Sequence, residues 1–229
     1  MLNFSYLLSP TTIQELKRID ETRNKILIEL VEPRLEIKLK HSNTIDLIER
    51  LLFLSGKSVS KREIAQVMSG DIRPVLSGEI LEIKHSYDYF RQSWLLLQEP
   101  ITADGLTKVM KILHLDRRVN ENITHDIAKF ITVNPEHPIV QAALAFILTA
   151  SVIPQNNDGI KLSIIASELF VYDHGFDLRG FLNLPDYYAS DLLNLQEKMR
   201  NALKSENLSE FIEYYVQSFS LSSENHNLP

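Results

Sequence analysis

The chain has 229 residues, 44% of them hydrophobic, with 24 Lys and Arg against 30 Asp and Glu and a formal charge of −6. That length suffices for one core, and an acidic balance with scattered cations offers no field to a polyanion, so nucleic acid is excluded as an expected partner. The absence of cysteine excludes disulfides and thiolate metal sites, and with no basic leader and no uncharged run of about 18 apolar residues, a cytoplasmic protein away from the membrane is expected.

Seven glycines and apolar residues recurring at three and four positions predict helix almost throughout, hence an all-α fold in a single domain spanning 1–229. An N-terminal helix is expected within 1–33. It begins near Thr12, where Thr-Ile-Gln-Glu has capping-box order, carries Leu16, Ile19, Ile26 and Leu30 inward, and stops before Pro33. Residues 34–136 form a helical subdomain. A helix from Ser42 to Leu54 buries Ile45, Ile48, Leu51 and Leu52 and ends at Gly56, and Ser60 with Glu63 opens a short helix that closes at Gly70. A long helix from Ser77 to Gln98 carries Ile80, Ile83, Tyr87, Phe90, Trp94 and Leu97, its aromatic residues at core spacing, and Pro100 breaks it.

Further helices are expected around Leu106, Val109, Met110 and Leu113, then around Ile123, Ile127, Phe130 and Ile131. Residues 137–220 form the core. His137-Pro138 opens a helix to Val152 that is apolar on nearly every side and belongs in the middle of a bundle. After the turn at Ile153–Gly159, a helix from Ile160 to His174 stops at Gly175, with His174 donating toward terminal carbonyls. Tyr187 and Tyr188 are read as core, and residues 221–229 follow the last helix as a polar tail.

Several chemical motifs fail on inspection. Gly56-Lys57-Ser58 resembles the end of a phosphate-binding loop, but Leu51 stands where a glycine is required and a helix precedes it instead of a strand. No G-x-G-x-x-G or G-x-S-x-G occurs, and the seven histidines include no H-x-x-x-H pair. By contrast, Asn156-Asn157-Asp158-Gly159 before a helix has the form of an anion site, and Lys161 in the first turn opposes the helix dipole unless something anionic lies nearby. The plain alternative is an Asn/Asp/Gly turn with a solvated lysine.

The segment from His137 to Tyr188, HPIVQAALAFILTASVIPQNNDGIKLSIIASELFVYDHGFDLRGFLNLPDYY, resembles the core of the Fic (Fido-domain) family of adenylyltransferases. In that family a buried helix leads into the loop H-P-F-x-D/E-G-N-G-R and a second helix ends near G-[FY]-D. LSGKSVSKREIAQVMSG and ENLSEFIEYYVQSF resemble the family's upstream segment and closing helix. The resemblance implies a multi-helix bundle around a buried central helix and a site for phosphoryl chemistry. There a histidine takes the proton of a target hydroxyl, an acidic residue holds Mg²⁺, backbone N–H groups cradle phosphates and an arginine binds the terminal phosphate.

Laid without gaps, the resemblance puts Ile153 at the general base, Asn157 at the acidic residue, Asp158 and Ile160 at the two glycines, Gly159 at the asparagine and Lys161 at the arginine. Only Pro154 is identical. Isoleucine has no lone pair, which removes a base worth roughly 10²–10⁴-fold. An amide is a weak ligand for a hard cation, and Ile160 adds a branched side chain where backbone must approach phosphate. The family's restraining glutamate is Ser55 here. Its β-hairpin flap, which docks the target, is reduced or absent, because only Asp116–Asn122 is available for it.

A catalytically inactive Fic-fold protein is therefore expected, acting through an unidentified protein partner or residual nucleotide binding, with homo-oligomerisation left open. No cofactor is expected. If binding survives, Asn156, Asn157, Asp158, Gly159 and Lys161 are the candidates for ATP, and Asn157 or Asp158 for Mg²⁺. The alternative is a diverged adenylyltransferase moving AMP from ATP to a protein hydroxyl, with Asp158 on the metal and Lys161 as a point charge. A third reading confines the resemblance to the fold.

Overall fold

Apolar periodicity becomes helix along the described chain, which in the computed structural model comprises residues 4–96, 125–127, 129–131, 136–153 and 157–224. The helices are α1 Pro10–Ile28, α2 Pro33–Leu54, α3 Lys61–Met68, α4 Ser77–Leu96, α5 Pro138–Val152, α6 Asn157–Asp173, α7 Leu184–Ser190, α8 Leu192–Ser205 and α9 Ser209–Glu224. A 3-10 turn, Leu178–Gly180, lies between α6 and α7, and residues 125–127 and 129–131 are also helical. Among the described residues β pairing is confined to one isolated bridge, Ser5 to Asn207, so the all-α class holds. The expected helix at Leu106–Leu113 and the Asp116–Asn122 link lie outside the described residues, as do Trp94's side chain, Leu97 and Ile123. No described helix is long and apolar enough to cross a membrane.

The helix starts follow local chemistry, with two corrections. α1 is capped by Ser9, whose Oγ accepts from Thr12 N at 3.1 Å, with Pro10 in the first turn. Thr12 is thus a buried helical residue, and its supposed box partner Glu15 instead accepts from Ser220 Oγ of α9 at 2.8 Å. α2 begins at Pro33, nine residues before Ser42, because proline at the first helical position needs no N–H partner and can open a helix as well as stop one. Leu30, expected inward, sits between the two helices fully exposed, and Ile45 is only partly buried. At Ser60 the capping box is complete in both directions.

α5 is the hub. Every residue from Ala142 to Ala150 is buried, and the helix packs most extensively on α6, then on α9 and α8. Such a helix has no polar face to give to water, so neighbours must cover it all round. Phe146 stands at the centre, its ring 5.2 Å from Phe211 and 6.0 Å from Tyr188. Tyr87 and Phe90 of α4 are buried against α6, meeting Tyr172 at 5.8 and 5.7 Å, which bears out their reading as core. Tyr188 is fully buried as well. His137 caps α5: its Nδ1 accepts from Ile139 N at 3.2 Å, leaving Nε2–H to donate to Asp20 Oδ1 at 3.2 Å.

Candidate functional site

The link from α5 to α6 carries the residues that the Fic resemblance singles out. Val152 ends α5, and Ile153 leaves it in extended backbone with its side chain 5% exposed. α6 then starts at Asn157, three residues earlier than the expected Ile160. Asp158 and Gly159 are consequently helical first-turn residues, where a carboxylate favours the N-terminal dipole. Ser163 Oγ donates to Gly159 O at 2.9 Å, tightening that turn from within. Ile160 is 4% exposed and joins the apolar core with Ile153. Asn156 lies outside the described residues.

Lys161 is not a solvated lysine. It is 7% exposed, and its Nζ stands 3.3 Å from Asp158 Oδ1 and 3.9 Å from Glu79 Oε2 of α4. The anion that its position called for is thus supplied by the protein. Lys57 completes the group: its Nζ pairs closely with Glu79 Oε2 and lies 3.5 Å from Asp158 Oδ1. Two ammonium groups and two carboxylates from three segments alternate in one small cluster. Asp158 Oδ1 meets its lysines as charges outside good hydrogen-bond geometry.

The electrostatics follow that arrangement. Burial alone pushes the Asp158 carboxyl up, but Lys161 and then Lys57 outweigh it and hold it below the usual carboxylate range. Burial likewise opposes the Lys57 ammonium, and Glu79 with Asp158 reverses the sign, raising its pKa. Both groups therefore carry their charges at neutral pH.

The turn that aims Lys57 comes from Gly56, at φ +77°, a left-handed conformation glycine adopts without a Cβ penalty. Lys57 N donates to Leu52 O at 2.9 Å and Gly56 N to Phe53 O at 2.9 Å, a Schellman closure of α2. The Gly56-Lys57 pair thus ends a helix, consistent with its exclusion as a phosphate loop. Ser55 turns back on the same helix end, its Oγ donating to Leu52 O at 2.8 Å. Sequence reasoning named Asp158 and Lys161 but missed Lys57 and Glu79 as their partners. Asking what a lysine just past a helix stop must face is the one local signal available.

A second polar region lies at the other end of α6. Gly175 closes that helix at φ +66°, with Phe176 N bonded to Val171 O at 2.8 Å, and His174 Nδ1 donates to Phe170 O at 3.0 Å as its position suggested. Arg23 of α1 covers the same helix end, donating from Nε to Gly175 O at 2.8 Å and from Nη2 to His174 O at 3.2 Å. Beside it a cavity of about 610 Å³ opens between α1, α2, α4 and the 3-10 turn. Ile153, Asp158, Ile160 and Lys161 do not line it.

No family model matches the chain, and no curated protein matches it by sequence. Among solved structures the chain is similar to the crystal structure of a Fic family protein from Desulfovibrio desulfuricans G20. The TM-score is 0.76 at 13% sequence identity, over 96% of this chain and 74% of that one. The fold is therefore Fic-like, as the sequence resemblance implied.

Proposed function

We propose that this Fic-fold protein does not transfer AMP and acts by binding a protein partner. The observation that carries the reading is the closed charge cluster at the α5–α6 turn: Lys161, at the position of the phosphate-binding arginine, already faces Asp158 at 3.3 Å and Glu79 at 3.9 Å. A phosphate arriving there must displace two carboxylates held within the fold. Ile153 supplies no proton acceptor, and both it and Ile160 are packed in the apolar core.

The residues do not fit Mg²⁺. The carboxylate nearest the metal position, Asp158, lies within 3.5 Å of both Lys57 and Lys161, so a divalent cation there would meet two ammonium charges. Support for a protein partner comes from the α1–α2 corner, where Ile28, Leu30 and Ile37 hold large apolar side chains in water.

The test pairs two measurements on the purified chain. Incubation with ATP labelled at the α-phosphate, Mg²⁺ and protein acceptors should leave serine, threonine and tyrosine hydroxyls unlabelled. Millimolar ATP and Mg²⁺ should leave the amide shifts of Asp158, Gly159, Ile160 and Lys161 unmoved, a readout confined to this turn. Steady AMP transfer to a hydroxyl would overturn the proposal in favour of the diverged transferase.

A further inference from the structure

The cavity beside Arg91 has a charge opposite to that of the protein as a whole. The chain carries −6, yet five basic side chains line this space, Arg23, Lys40, Lys84, Arg91 and Arg179, against three acidic ones, Glu36, Asp88 and Asp177. Concave walls of low dielectric concentrate such a field.

The basic groups are not equivalent. Arg179 Nη2 pairs with Glu36 Oε2 at 2.5 Å and Lys40 Nζ with Glu36 Oε1 at 2.7 Å, so one carboxylate is shared by two cations. Lys84 is matched by Asp88. Arg23 is occupied by the backbone carbonyls that end α6. Arg91 differs: its Nη2 donates to Thr44 Oγ1 at 3.1 Å, it stands beside the buried Tyr172 hydroxyl, and among the described residues no carboxylate pairs with it. Its fork is thus positioned by two neutral oxygens, with the buried Asp177 carboxylate near enough to feel its charge but, among the described residues, none bonded to it, an arrangement that leaves donors for planar recognition of an oxyanion.

Burial raises the Asp177 carboxyl above its usual range despite the nearby Lys40 and Arg91, which weakens the acidic side further. The remaining walls, from Leu27, Met68 and the ring of Tyr172, are apolar or aromatic. A volume of about 610 Å³ is that of a small-molecule site, far larger than one bare oxyanion needs.

We infer that this cavity binds a small organic phosphate, its dianionic head on Arg91 and Lys40 and its body against Leu27, Met68 and Tyr172. A dianion matches an excess of two positive charges, which a monocarboxylate leaves half unanswered. The site is separate from the α5–α6 turn and goes beyond the proposed inactivity, since neither requires the other.

Calorimetric titration with phenyl phosphate tests the inference, with phenol and inorganic phosphate as partial probes. One saturable site with a Kd of about 0.1–1 mM is expected, with phenol and inorganic phosphate each at least about tenfold weaker. Arg91→Gln and Lys40→Gln should each weaken phenyl phosphate about tenfold, while Lys57→Gln, in the other charge cluster, should leave it unchanged. Amide shifts of the unsubstituted protein should move at Thr44, Gly175 and Gly180, which keeps the test decisive if a variant fails to fold. Absence of saturable binding, equal binding of phenol, indifference to Arg91→Gln, or shifts centred on Asp158–Lys161 would each overturn it.

Discussion

Asp158 Oδ1 stands 3.5 Å from Lys57 Nζ, joining the first turn of α6 to the turn that closes α2. Glu79 of α4 faces the same lysine and Lys161 as well. The turn to which the sequence resemblance assigned phosphate binding is joined by these groups to two other segments, a structural fastening between three helices.

Removing one member should therefore cost stability. Asp158 and Glu79 are partly exposed, which lowers the several kcal/mol expected of a fully buried pair. Lys161→Met is expected to cost about 1–2 kcal/mol in urea unfolding, because it leaves two carboxylates to one lysine. A double-mutant cycle with Asp158→Asn should show coupling of about 0.5–1 kcal/mol, and strict additivity would mean that the pairing contributes nothing.

An imidazole placed at residue 153 should not confer AMP transfer. Ile153 packs in the core at 5% exposure, so Ile153→His buries ring nitrogens among apolar neighbours at a cost of about 1–3 kcal/mol. The expected result is a lower melting temperature and no AMP transfer, because the charge cluster and Ile160 remain. Labelling of an acceptor by this single variant would show that a base at this position is all that AMP transfer requires.

Stability should also fall as pH rises from 4.5 to about 8, through Glu168. Its carboxyl is buried between α6 and α4, where it accepts the Tyr87 hydroxyl hydrogen. Burial raises its pKa from 4.5 to about 8, with the Tyr87 bond opposing. A proton bound more tightly in the folded state stabilises fully below pH 4.5, and that advantage is lost as pH climbs to about 8. The slope contributed is at most about 1.4 kcal/mol per pH unit. Glu168→Gln, whose amide oxygen still accepts from Tyr87, should flatten stability across this window in chemical denaturation at several pH values. An unchanged slope would place the carboxyl in a different ionisation state.

Tyr188 offers a stabilising change. Its hydroxyl is buried and without a hydrogen-bond partner among the described residues. Tyr188→Phe keeps the ring contact with Phe146 at 6.0 Å and removes the unsatisfied oxygen. A gain of about 1 kcal/mol is expected, read as a higher denaturation midpoint, and a loss of that size would reveal a partner for the hydroxyl.

Much of the frame was legible because its signals are local. The Ser60–Glu63 box, the stops at Gly56 and Gly175 and the nearly uniform apolarity of α5 act within a few residues, and the helices follow them. The errors also have local causes. Ser9-Pro10 outcompeted Thr12 as a start, and Pro33 has two roles that composition cannot separate, while the apolar Leu35, Ile37 and Leu39 beyond it alternate without helical spacing. At the site, the sequence marked Lys161 as needing an anion, but Glu79 is brought to it only by the packing of α4 on α6. Arg91 and Asp177 meet around one cavity for the same long-range reason.

The order in which packed helices occur along the chain bears on how it is made. Among the described residues α1 packs chiefly on α9, α2 on α7 and α4 on α6, so these early helices find their main described partners in segments translated after residue 156. A ribosome that has delivered only the first half exposes apolar faces awaiting partners that have yet to emerge, and premature termination there leaves a product suited to proteases and chaperones rather than to folding.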